Sequence, residues 1–375
     1  MKTKSTSQSA FFNVRILTAA LLCLGAVSVA LFGTSALTQA APPATGWKHS
    51  QNTPSAGVRL VGVFFRDNIK FYAMGGRASD SVGSDFTNPF EYDPVTHTWT
   101  TKAATYPDNQ LSNMACGVLN NAGTNFIYCL GGNAAGATTA TARVFQYNPI
   151  TDTITTLSSA DNWPGDANGT TLPGGFAVVN NKLYILGGFN INISSTNEIW
   201  EFDPNGAVGA KWTQKVNTPE GVMYAPTCAI NGIIYLAGAS DFSGGTVVDT
   251  TNSFSFNPAT NSIGAIAAIP RATGETRGLN FNGQMLVMGG GRVSPNPSNE
   301  VDIYDPGTNT WTTGVPVPSF LTPRRNFPTD TNGTTGIVLA DGYASDNATP
   351  LDSTEIFHLA PGLKAPSLPA SPASN

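Results

Sequence analysis

Charge is what this 375-residue chain has least of. Asp, Glu, Lys and Arg make up 11% of it, against roughly 25% in an average soluble protein, so solubility must rest on Thr, Ser and Asn. No run of Lys or Arg occurs and the net charge is −5. That argues against nucleic acid, whose phosphates need a basic face for counterion release, and an anionic membrane surface is disfavoured for the same reason. Histidine is scarcer still, with only His49, His97 and His358. A triad needs a histidine near its nucleophile, so serine and cysteine hydrolase arrangements find no support. Beyond Phe32 no apolar run is long enough to span a bilayer.

Residues 1–40 read as an export signal. Lys2, Lys4 and Arg15 make a basic start, Ile16 to Phe32 is almost wholly apolar, and small residues follow around Thr38-Gln39-Ala40-Ala41. Cleavage is expected near Ala40 or Ala41. The apolar run also approaches the roughly 20 residues that cross a membrane, so an uncleaved anchor is the alternative. Either way the remainder is expected outside the cytoplasm, secreted or at the cell surface or in a periplasm. Of four cysteines, Cys23 belongs to the leader. Cys116 and Cys129 flank a short turn at Asn120 to Asn125 and stand opposite each other if Leu119 pairs with Phe126. An oxidising compartment would join them; otherwise they are two small buried side chains. Cys228 is then odd and is expected to pack in the interior.

What the chain does have is repetition. The stretch Phe281 to Gly314 contains an apolar run ending in Gly289-Gly290, a polar loop, and a second run ending in Tyr304-Asp305-Pro306, with Trp311 beyond. Glycines at 76, 132, 188, 238, 290 and 342 mark six such units. Each glycine follows a short β-rich run, such as Leu183-Tyr184-Ile185-Leu186, too short for a helix. Turn pairs such as Asn231-Gly232 and Asn282-Gly283 precede several of these runs and favour tight hairpins. Downstream, aromatics two apart (Phe90/Tyr92, Phe145/Tyr147, Trp200/Phe202, Phe254/Phe256) share one strand face. An Asx-Pro pair then ends the strand, and Trp99, Ile154, Ile263 or Trp311 anchors a fourth. Trp212 is displaced by an insertion around Asn205 to Ala210.

A double glycine followed by Tyr-x6-Trp resembles the kelch motif. Gly75-Gly76 with Tyr92 and Trp99, and Gly289-Gly290 with Tyr304 and Trp311, match it in full; Ala237-Gly238 and Asp341-Gly342 are degenerate. The resemblance implies an all-β fold, a six-bladed kelch-type β-propeller with four antiparallel strands per blade. Unit six lacks a fourth strand of its own, because residues 361–375 form a Pro/Ala/Ser tail expected to be disordered. Trp47 is placed like Trp99 relative to a later proline, so an N-terminal strand should close the ring. The propeller is expected over 41–360 as one domain and a monomer.

Function on such a scaffold lives in the loops. The loop after each double glycine and the loop entering the next blade lie at one end, since two strands separate them. Arg59, Arg77, Arg271, Arg277, Arg292, Arg324 and Arg325 fall there, on blades five, six and one. Asp108, Asp161, Asp166, Glu220, Asp241 and Asp249 occupy the opposite sector. Guanidinium forks suit carboxylates and phosphates, so Arg77, Arg271, Arg277, Arg292, Arg324 and Arg325 are the candidate ligand-binding set. The expected function is a binding or interaction module for a glycan or protein. The alternative is a sugar-processing enzyme: export, length and six kelch units resemble bacterial sialic-acid mutarotases, and Glu275, between Arg271 and Arg277, is the candidate acid/base. Neither metal nor cofactor is expected. The Asp80 to Asp85 loop lacks the oxygen-ligand density of a calcium loop. The three histidines are not placed to converge as a galactose-oxidase-like copper site requires, and the sialidase Asp-box is not present.

Overall fold

A computed structural model describes residues 45–360, and the expected leader at 1–40 and tail at 361–375 lie outside them. The described residues form six four-stranded antiparallel sheets. Blade five is the plainest: Gly278–Phe281, Gln284–Gly290, Ser298–Asp305 and Thr310–Thr313. The first strands of blades one to four and six are Val61–Phe65, Ala115–Asn121, Thr171–Val179, Thr227–Ile230 and Thr329–Thr331. Each first strand is paired on one side only, and the six touch one another in sequence around a central channel. Blade six takes its outer strand from the other end of the chain, where Gly46–His49 runs antiparallel to Thr354–His358 and Trp47 faces Phe357. The expected closure by an N-terminal strand is what the structure shows.

The repeated sequence positions each make the same contact. In the Asx-Pro turns, the side-chain oxygen of Asp93, Asn148, Asp203, Asn257 or Asp305 accepts a backbone N–H two residues on, at 2.7–3.0 Å. This local bond stops the third strand and reverses the chain. The motif tyrosine then reaches the turn's fifth residue: Tyr147 donates to Asp152 at 2.9 Å and Tyr304 to Asn309 at 2.8 Å. Those same turn residues accept a backbone amide from the preceding linker, Ala103 and Ala267 respectively. The motif tryptophan does likewise. The indole N–H of Trp311 donates to Ala267 carbonyl (2.8 Å), that of Trp212 to Asp161 (2.8 Å), and that of Trp47 to Pro318 (2.7 Å). Trp99 donates to Gln51, which leads from the closing strand. Tyrosine or tryptophan thus fastens every blade to the one before it except blade four, where Phe256 and Ile263 take their places. Because the tryptophans rest on linkers, the insertion at Asn205 to Ala210 shifts Trp212 in sequence while leaving it opposite Phe202 in register.

In four of the six blades the second glycine joins the blade to the next. Gly76, Gly188, Gly290 and Gly342 donate their N–H groups to Leu111, Val222, Arg324 and Gly57, at 2.8–3.0 Å. At Gly290 the backbone is left-handed (φ +76°) and a Cβ would lie 2.5 Å from the Thr276 side chain, so only glycine fits. In the first hairpin of blade two, Cys116 pairs in register with Cys129 and their sulfurs are bonded. Cys228 is free and buried.

Candidate functional site

Just ahead of the first strands, five residues turn the backbone left-handed: Arg59 (φ +62°), Asn113 (+62°), Tyr224 (+49°), Glu275 (+53°) and Asn326 (+52°). Asparagine tolerates this, whereas Arg, Tyr and Glu do so at a cost of about 1–2 kcal/mol each. Such strain persists only where surroundings impose it, and here they do. Glu275 N–H donates to Tyr224 carbonyl (3.0 Å), Asn326 to Glu275 (2.6 Å), Arg59 to Asn326 (2.8 Å) and Asn113 to Arg59 (3.2 Å). The result is a hydrogen-bonded collar crossing from blade to blade and presenting one side chain per blade to the channel. Blade three interrupts it, because its first strand runs straight through Pro173, which has no N–H to give.

At the double-glycine end of the channel, above this collar, lies a cavity of about 310 Å³. Its polar wall includes Arg59, Arg77, Asp80, Tyr224, Glu275 and Arg292, and its apolar wall includes Phe189, Ile191 and Val247. Glu275 is almost wholly buried and its Oε2 is held by Arg325 Nη1 and by Asn326 Nδ2 (2.7 Å). Among the described residues, Oε1 has only Arg292 Nη1, at 3.7 Å. Arg325 is itself fixed by Asn347 Oδ1 (2.7 Å) and carbonyl (2.9 Å), and lies 4.2 Å over the Tyr343 ring. Tyr343 donates to Asp80 (2.7 Å), which also holds Arg77, with Arg59 Nε 3.6 Å away. Burial works to raise the Asp80 carboxyl, but Arg59, Tyr343 and Arg77 outweigh it and hold the group below its usual range. Burial, reinforced by the charge on Glu275, pushes the Tyr224 phenol up to about 12, so it stands as a neutral donor. Among the described residues, neither that hydroxyl nor the Arg59 guanidinium takes part in a hydrogen bond.

Three guanidinium groups, of Arg59, Arg77 and Arg292, therefore meet the carboxylates of Asp80 and Glu275 at the mouth, with several donors left unspent. Of the arginines singled out from the sequence, Arg77 and Arg292 come together there, as does Glu275, while Arg325 clamps Glu275 from behind. Arg324 is wholly buried in the wall, paired with Glu355 at 2.7 Å. Arg271 sits between Asp302 (2.9 Å) and Glu300 (3.2 Å). Arg277 lies on the far side of the collar. Most carboxylates of the opposite sector organise loops: Asp108 pairs with Arg143, Asp166 accepts two threonine amides, and Asp249 binds the amides of Arg292 and Val293. Asp80 and Tyr224 were not apparent as site residues from the sequence.

Residues 113–336 match the family model for the KLHDC2/KLHL20/DRC7 Kelch-repeats domain. The chain belongs to the kelch-repeat family. Kelch propellers commonly serve as protein-interaction modules. Kelch-like protein 25 of Xenopus tropicalis is 23% identical over 264 residues, which cover 68% of this kelch chain and 40% of that protein. The chain thus spans well under half of that relative's length. A solved structure described as "Structure of YjhT" superposes with a TM-score of 0.55 at 15% identity, over 68% of this chain and 83% of that one. At that identity the likeness concerns the fold alone.

Proposed function

We propose that this kelch protein is an exported binding module whose channel mouth takes an acidic glycan or sugar. The observation that supports it is the convergence of Arg59, Arg77 and Arg292, with Arg325 holding Glu275 from behind, around a cavity of about 310 Å³, a size within the range of small-ligand sites, about 300–1,000 Å³. A carboxylate suits the guanidinium forks, while Phe189, Ile191 and Val247 offer an apolar surface to a sugar ring. A thermal-shift series against glucuronic acid, sialic acid and glucose tests the reading. Both acids should raise the melting temperature of the wild type and leave Arg292→Gln unmoved, with glucose inert. The absence of any response to either acid would remove the proposal.

A second reading, a sugar mutarotase, is favoured by one specific feature. Glu275 has one oxygen clamped and the other facing the cavity, with Arg292 Nη1 3.7 Å from it. A carboxylate held in this way can move a proton, as opening a sugar hemiacetal requires. Polarimetry or proton NMR of anomer equilibration decides it: wild type accelerates equilibration of sialic acid and Glu275→Gln does not. Equal rates with and without wild-type protein would leave binding alone.

A further inference from the structure

Beneath the collar the channel narrows to a neck of about 60 Å³ and widens again into a chamber of about 350 Å³. Arg277 and Phe176 line both spaces, so they form the partition between the chamber and the mouth. The Arg277 guanidinium lies 3.6 Å above the Phe176 ring. None of its nitrogens has a hydrogen bond or an ion pair among the described residues, and Nε is buried without a partner. Stacking satisfies one face of the group and leaves its donor edges unspent, although a buried donor without a partner is destabilising. Burial pulls its pKa down to about 10, which keeps it cationic at neutral pH. Asp330, in the same chamber, does not occupy it. Its two oxygens accept the amides of Phe64 (2.7 Å) and Thr331 (2.8 Å). Arg66, the other basic group of the wall, donates to Asn332 carbonyl at 3.0 Å.

We propose that the lower chamber is a second ligand site, separate from the mouth, in which the Arg277 fork grips a small oxyanion of the carboxylate or phosphate class. A planar guanidinium backed by an aromatic ring presents parallel N–H groups to such an anion. The chamber's size admits an anion with an organic substituent, and its position across the neck makes it independent of what the mouth holds.

The test titrates the full chain with inorganic phosphate and with acetate at constant ionic strength, following the Arg277 Nε–Hε NMR signal and the melting temperature. One or both anions should move that signal along a saturable curve, and which of them does so identifies the class. Arg277→Gln should weaken the affinity at least tenfold, and Arg277→Lys, a point charge without the fork, by an intermediate factor. Arg292→Gln should leave it unchanged, which separates this site from the mouth. The proposal is overturned if neither anion moves the Arg277 signal, or if Arg277→Gln binds like wild type. Should Arg277→Gln fail to fold, the wild-type NMR titration decides alone.

Discussion

Replacing Glu275 probes both the electrostatics and the backbone of the collar. Its carboxylate and the Arg325 guanidinium are 1% and 3% exposed, so Glu275→Ala leaves a cation buried without its anion. Removing one partner of such a pair costs about 3–5 kcal/mol. Arg325 keeps Asn347 and the Tyr343 ring, which places the expectation at the lower end, about 3 kcal/mol. For a domain of about 300 residues the unfolding entropy near the transition is about 0.6 kcal/mol/K, so the melting temperature should fall by about 5 °C. Two further variants separate the contributions. Glu275→Gly should be about 1 kcal/mol more stable than Glu275→Ala, because the backbone is left-handed at φ +53° and glycine relieves that strain. Glu275→Ala combined with Arg325→Met should be less destabilised than the single changes sum to, by about 1–3 kcal/mol. Urea denaturation with constant m-values provides the measurement. Wild-type stability in Glu275→Ala, or glycine no better than alanine, would refute the account of a clamped and strained carboxylate.

Other outcomes follow from the scaffold. Trp311→Phe keeps the ring but removes the donor to Ala267 carbonyl and should cost about 1–3 kcal/mol in urea. Reducing the Cys116–Cys129 bond opens a loop of 13 residues and should cost about 3 kcal/mol at most, read as a lower urea midpoint in reductant. Asp341 is buried and its carboxyl is pushed well above the usual range by burial; among the described residues Thr53 donates to one oxygen at 2.6 Å and no group donates to the other. The folded chain therefore keeps a proton that the unfolded chain loses near pH 4, so this group's contribution to stability declines as pH rises from about 4 toward the folded pKa. The melting-temperature advantage of Asp341→Asn over wild type should accordingly widen from pH 4 to pH 8, and a pH-independent difference would count against a protonated Asp341.

The blade count and the strand order could be read from the sequence because they depend on local chemistry, and the closing strand because unit six lacks an anchor that Trp47 supplies from the other end of the chain. An Asx oxygen two residues from an amide, or a tyrosine five residues from its turn partner, lies within one unit and repeats with it. The disulfide was half legible: the hairpin register depends on the Ala122-Gly123 turn, whereas bond formation depends on the compartment. Site residues were harder because they come from loops that differ between blades. The first hairpins vary in length, so Arg59, Asn113, Tyr224, Glu275 and Asn326 do not align with the glycines and their shared backbone state stays hidden. Proximity in the chain also misled about the arginines. Arg324 and Arg325 are neighbours, yet one points into the wall toward Glu355 and the other toward Glu275. Glu275 and Arg277 likewise lie on opposite sides of the neck.

The collar separates what holds the ring together from what faces a ligand. Its blade-to-blade bonds run through main-chain amides and carbonyls, so the side chains at those five places can change while the bonds between blades stay in place. Asparagine, already present twice, is the residue that best suits the required conformation. A set of Asn substitutions at Arg59, Tyr224 and Glu275 would therefore remove three of the mouth's polar groups and keep the main-chain bonds between blades, its stability cost falling on Arg325, which loses its anion. The same positions, refilled with other polar groups, amount to a panel of interchangeable fittings with which one propeller could be retuned from one ligand to another.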